Sequence, residues 1–154
     1  MHDGTILFIF FIALLITGVA DLESTKISEV ADITQGTLDA SDDTLDGTSL
    51  KFVGTTINGT AYDVDINFLN TGSQFSIGGN TYDIFNIDGA TPADDVTYQQ
   101  LMDVMNMVVT ENLPTANTAT EYSKASSNSN FNGETSLSYD GKIQFTDLSA
   151  AKTK

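Results

Sequence analysis

The chain contains no cysteine, no arginine and a single histidine, His2. Each absence removes a class of chemistry. Without cysteine there is no disulfide framework, no thiol nucleophile and no thiolate-bound zinc. The lack of cysteine does not fix a compartment, since an exported chain that folds without oxidation and a cytosolic chain both satisfy it. With its one histidine at the second residue, the chain can build neither a Ser-His pair nor a histidine-metal cluster inside a domain. Basic charge is scarce as well: six lysines stand against 21 acidic residues, for a net charge of −15. Nucleic acid rewards clustered Lys and Arg, and anionic membrane surfaces attract polybasic segments. Neither partner fits this balance. The charge favours a soluble surface that repels copies of itself.

What is present suits a globular domain. The length of 154 residues matches one domain of ordinary size, and 40% apolar residues exclude disorder throughout. Thr, Ser and Asn are abundant, as in secreted and surface-assembled bacterial β-domains.

The chain divides into an apolar leader (1–20), an acidic polar segment (21–49) and a β-rich domain (50–154). Ile6 to Ala20 reads ILFIFFIALLITGVA, without charge. It is shorter than the about 20 residues of a spanning helix and fits the h-region of a signal peptide, but MHDG supplies no positive n-region. Three readings stay open: an atypical signal or anchor, a buried element of the domain, and a leader not native to the domain behind it. In the acidic segment, Ile27, Val30 and Ile33 predict one face of a short helix ended by Gly36.

From Leu50 the period becomes two. SLKFVGTT and TAYDVDINF flank Asn58-Gly59, a strong hairpin signal. Tyr62, Val64, Ile66 and Phe68 share one face; Asp63, Asp65 and Asn67 share the wet one. QFSI and NTYDIFNI flank a second turn at Gly78-Gly79. A helix over 98–109 comes next, with Thr97 and Gln100 as a capping box and Asp94 and Asp95 near its positive end. Leu101, Val104, Met105 and Val108 form its buried stripe, which covers the Tyr62–Phe68 face. Residues 115–134 read as loose and polar, with a short helix around Tyr122 and Ala125 and a loop at SSNSNFNGE. A last hairpin turns at Asp140-Gly141, with Leu137 and Tyr139 on one strand and Ile143 and Phe145 on the other. The expected fold class is α+β: antiparallel hairpins forming a small sheet packed by one main helix, preceded by the apolar segment.

No residue set carries chemistry. Asp39, Asp42, Asp43 and Asp46 cluster before Gly47, but their spacing misses the D-x-[DN]-x-[DN]-G loop with its distant Glu. They read as a solvated loop, with a weak calcium site at Asp39–Asp46 as the alternative. Asp63 and Asp65 read as a wet strand face, open to a third carboxylate. Gly78-Gly79 lacks the phosphate-loop frame. Met102 and Met107 read as core packing rather than a soft partner surface. Catalytic, cofactor and metal residues are therefore expected to be none, and an enzyme is the last choice.

Four stretches in this order carry a resemblance: TKISEV with TLDGTSLKF, NGTAYDVDINF, VTYQQLMDVMNMVVTENLP and SLSYDGKIQFTDLSA. Together they resemble the outer variable region of the flagellar hook-filament junction protein family (the third hook-associated protein, flagellin-like), over about Thr25 to Lys152. The resemblance implies a structural, extracellular, non-enzymatic domain projecting from a ring between hook and filament. Its implied partners are other junction, hook or filament subunits, with no nucleic acid, no small-molecule substrate and a membrane only through 6–20. It also implies a piece of a longer protein, whose chain ends would form the helical bundle that stacks subunits; the last hairpin would then have lost a neighbour. The alternative is a secreted or membrane-anchored β-rich surface protein of adhesin type, ahead of a pilin-like subunit.

Overall fold

The computed structural model describes residues 24–29, 45–138 and 142–149. The apolar stretch 6–20, the helix positions Val30 and Ile33, and the Asp140-Gly141 turn lie outside them. The fold is α+β. Strands β1 (Ser49–Thr55), β2 (Ala61–Asn67), β3 (Gln74–Ile77) and β4 (Asn80–Asp83) form an antiparallel sheet in the order β1-β2-β3-β4.

The alternation along β2 decides which face is covered. Tyr62, Val64, Ile66 and, just past the strand, Phe68 are buried. On the other face Lys51 sits opposite Asp65 and approaches Asp63 at 2.9 Å. Apolar cross-strand pairs, Phe52 with Val64 and Ile66 with Phe75, tie neighbouring strands on the covered face. Between β3 and β4, Ile77 pairs with Asn80 and leaves only Gly78 and Gly79 as the loop. Both glycines have positive φ, +57° and +83°, as a type I′ turn requires.

NTYDIFNI does not continue as one strand. The chain bends at Ile84, which is fully buried and whose N–H donates to Ser73 O at 2.8 Å. Beyond the bend, β5 (Phe85–Asn86) and β6 (Gly89–Ala90) make a separate two-residue ribbon. Burying the Ile84 side chain wins over ladder continuity, since full burial of an Ile is worth roughly 1.5–3 kcal/mol.

Helix α1 (Tyr98–Val109) begins at the expected box: Thr97 Oγ1 accepts from Gln100 N at 3.2 Å, and Gln100 Oε1 accepts from Thr97 N at 3.0 Å. The helix is buried on more than one face. Leu101, Val104, Met105 and Val108 join the core with the sheet, while Met102, Asn106 and Val109 are buried too. The second layer comes from α2 (Ala119–Ser129) and the ribbon of β7 (Gly133–Leu137) with β8 (Ile143–Asp147), both packed against α1.

This corrects the reading of 115–134 as loose. Helix α2 runs through all of SSNS, and β7 starts at Gly133. Thr118 caps α2 by accepting from Glu121 N at 3.3 Å, and Tyr122 and Ala125 face inward as their spacing suggests. The β7–β8 ribbon is a sheet of its own and rests on α1 instead of extending the four-stranded sheet.

Candidate functional site

The end of α1 shows how closely the layers are tied. Glu111 N donates to Val108 O (3.2 Å) and Asn112 N to Met107 O (2.9 Å), the paired bonds of a Schellman ending. Such endings usually place glycine in the left-handed position; here it is Glu111, at φ +60°. Its side chain supplies the reason. Thr56 Oγ1 donates to one carboxylate oxygen at 2.5 Å and Asn58 Nδ2 to the other at 2.7 Å. These hydrogen bonds, that from Thr56 foremost, hold the Glu111 carboxyl below the usual range. The β1–β2 turn is thereby fastened to the helix, and Ile57 N adds a bond to Val109 O at 2.9 Å.

Asn106 plays the corresponding part on the other side of the helix. Its Nδ2 donates to Ser129 Oγ (2.9 Å), Asn130 Oδ1 (2.8 Å) and Gly133 O (3.1 Å), and its Oδ1 accepts from Thr135 Oγ1 (3.4 Å). A buried amide is costly unless satisfied, and this one joins α1, α2 and β7. A polar recess of about 370 Å³ opens beside it, with Gln99, Asp103, Asn130 and Glu134 at its wall. It offers amide and carboxylate hydrogen bonding but no nucleophile paired with a base.

An apolar recess of about 190 Å³ lies where Ile27 and Leu45 meet β1, α1 and the tip of the β7–β8 ribbon, with Leu50, Leu137 and Ile143 on its walls. Burial there pushes the Tyr98 hydroxyl up to about 12, so it stays neutral at physiological pH. The recess can hold an apolar side chain and has no group able to move a proton near neutrality. Sequence reading missed it, because Leu45 sits alone in an acidic stretch and Ile27 four residues past Glu23. Among the described residues the exposed large apolar side chains are Val53, Ile87 and Phe131, on β1, in the β5–β6 turn and just after α2.

The acidic candidates have structural partners. Asp46 Oδ1 accepts from Asn70 N at 2.8 Å; Asp39, Asp42 and Asp43 lie outside the described residues, as does His2. Asp63 and Asp65 share Lys51, at 2.9 and 3.9 Å, instead of meeting a third carboxylate. Asp95 pairs with Lys26 at 2.6 Å, and Asp94 accepts from Leu45 N at 2.7 Å. Both therefore fasten the N-terminal segments in addition to standing before α1. Met102 and Met107 are buried, as the core reading has it. Among the described residues no group of three or more His, Cys, Asp or Glu side chains could hold a metal ion, and no helix is long and apolar enough to cross a membrane.

Comparison with known protein families, with curated proteins and with solved structures returns no match for this chain.

Proposed function

We propose that this domain is a structural, surface-exposed part of the bacterial flagellum, projecting outward from the hook-filament junction, and that it is not an enzyme. One observation carries the reading: the four stretches that resemble the junction-protein family fold into a single interlocked unit. TKISEV docks on the start of VTYQQL, where Lys26 bridges Thr97 and Ile27 N donates to Val96 O at 2.9 Å. NGTAYDVDINF supplies β2, whose apolar face shares one core with the helix of VTYQQLMDVMNMVV. SLSYDGKIQF supplies the ends of the β7–β8 ribbon, set against that same helix. A projecting domain in a crowded ring benefits from an acidic surface that discourages lateral sticking, and a net charge of −15 provides one. Its partners would be other junction, hook or filament subunits, and its place extracellular.

A second reading rests on Ile6 to Ala20, whose charge-free run favours a membrane-anchored or secreted surface protein of adhesin type. Mechanical shearing of flagella separates the two. Peptides from 24–149 in the sheared, washed filament-and-hook fraction support the junction reading. Peptides confined to the cell envelope or the culture medium support the second and overturn the first.

A further inference from the structure

Two Asn-Gly dipeptides occur in the chain, Asn58-Gly59 and Asn132-Gly133, and the fold treats them in opposite ways. Asn-Gly is the sequence most open to succinimide formation, because glycine has no side chain to shield its backbone nitrogen from the preceding amide. The reaction needs that nitrogen to swing onto the Asn Cγ. At 58–59 both residues are exposed, lie in the β1–β2 turn, and have nothing within 4 Å of where a Gly59 side chain would be. The turn is held by Gly59 N donating to Thr56 O at 2.9 Å and by Asn58 Nδ2 donating to Glu111 at 2.7 Å. The Asn58 bond is exposed, and local opening costs least at the surface. At 132–133 Gly133 is buried, its carbonyl accepts from Asn106, and its Cα faces the Phe145 ring and Thr110. Freeing that dipeptide means taking apart the α1–α2–β7 junction.

We propose that Asn58 is a site of spontaneous deamidation, and that its conversion weakens the attachment of the β1–β2 turn to the end of α1, leaving the Thr56 and Ile57 bonds to hold it. Gly59 N attacks Asn58 Cγ; the new N–C bond forms, the Cγ–Nδ2 bond breaks, and ammonia leaves with the proton from Gly59 N. Water then opens the ring at either carbonyl, giving aspartate or isoaspartate at position 58. In either product a donor is replaced by a carboxylate facing the Glu111 carboxylate, so an attraction becomes a like-charge contact. Isoaspartate also lengthens the backbone within the turn.

The test is peptide mapping of the full chain aged in mildly alkaline buffer, native and urea-denatured. Asn58 is expected to deamidate about tenfold or more faster than Asn132 in the native protein, and the two at similar rates in the unfolded chain, since protection follows local opening. Glu111→Ala should speed the native reaction at 58 and leave 132 unchanged. Asn58→Asp should lower the melting temperature, and Glu111→Gln added to it should restore most of the loss. Equal native rates at the two sites, or an Asn58→Asp melting point matching the parent's, would overturn the proposal.

Discussion

Asn106 Nδ2 lies 2.9 Å from Ser129 Oγ, and this buried bond joins the central helix to α2. Ser129 Oγ donates its own proton to Ser126 O at 2.7 Å, so the amide is the hydroxyl's donor and the backbone its acceptor. Replacing Asn106 by Leu keeps the branched side-chain shape but strands Ser129 and the Gly133 carbonyl, whereas exposed Asn130 can turn to water. Leaving buried acceptors unmade costs about 1–3 kcal/mol each where water cannot reach them. The expected loss is roughly 2–4 kcal/mol, read from urea unfolding. A loss within experimental error would show that water serves these groups equally well.

Gly133 is fixed by space. A Cβ there would collide with the Phe145 ring and meet Thr110 Cγ2 at 2.9 Å. Gly133→Ala should cost about 1–3 kcal/mol as overpacking. The Phe145 ring is the yielding partner, so adding Phe145→Leu should recover part of the loss. If the double variant is no better than the single, the backbone and not the ring contact sets the cost.

Tyr122 is buried with its ring edge-on to Phe85, centroids 5.9 Å apart, and its hydroxyl has no hydrogen-bond partner among the described residues. Burial first, and the nearby Asp103 charge second, push that hydroxyl's pKa up. Tyr122→Phe keeps the ring contact and removes an unpaired polar atom. Stability should hold or rise by up to about 1 kcal/mol. A clear drop in melting temperature would mean the hydroxyl is bonded in solution.

Stability should also respond to pH at both ends. Buried Tyr98, with its pKa pushed up to about 12, ionises later in the folded chain than in the unfolded one, whose value is about 10. Its contribution is full below about 10 and is lost as pH rises towards 12. Tyr98→Phe should therefore flatten the alkaline fall. The depressed carboxyls run the other way: Glu111, held by Thr56 and Asn58, and Glu121, held by Lys124 and Thr115, stabilise above the unfolded carboxylate value. That contribution goes as pH falls through their lowered folded values. Glu111→Gln should give a shallower acid slope in urea midpoints, and an unchanged slope would remove Glu111 from the acid response.

Parts of this fold are written locally and parts are not. The β2 alternation, the Gly78-Gly79 turn and the Thr97–Gln100 box each use a rule that spans a few residues, and each is legible. Helix α2 is legible only in part: Tyr122 and Ala125 mark its inward face, but ATEYSKASSNS is rich in residues that compete with the helix for backbone bonds, so its run to Ser129 is not; that run is supported by the Thr118 cap and by Asn106 beneath Ser129. The bend at Ile84 is hidden because an apolar residue in an alternating run looks like more strand. Glu111 is hidden because glycine is the expected residue at that position, and only the distant Thr56 and Asn58 explain its choice. The apolar recess draws walls from both ends of the chain, so no window of sequence contains it. One clue was available for the second layer: Met102 and Val109 lie off the main stripe of α1 and are too apolar for a solvent face.

The most direct test of the structural-domain account is immunogold electron microscopy with antibodies raised against the folded domain. Gold at the junction between hook and filament, on cells with intact flagella, is the result the account expects. Gold spread over the cell surface with none at the junction would contradict it.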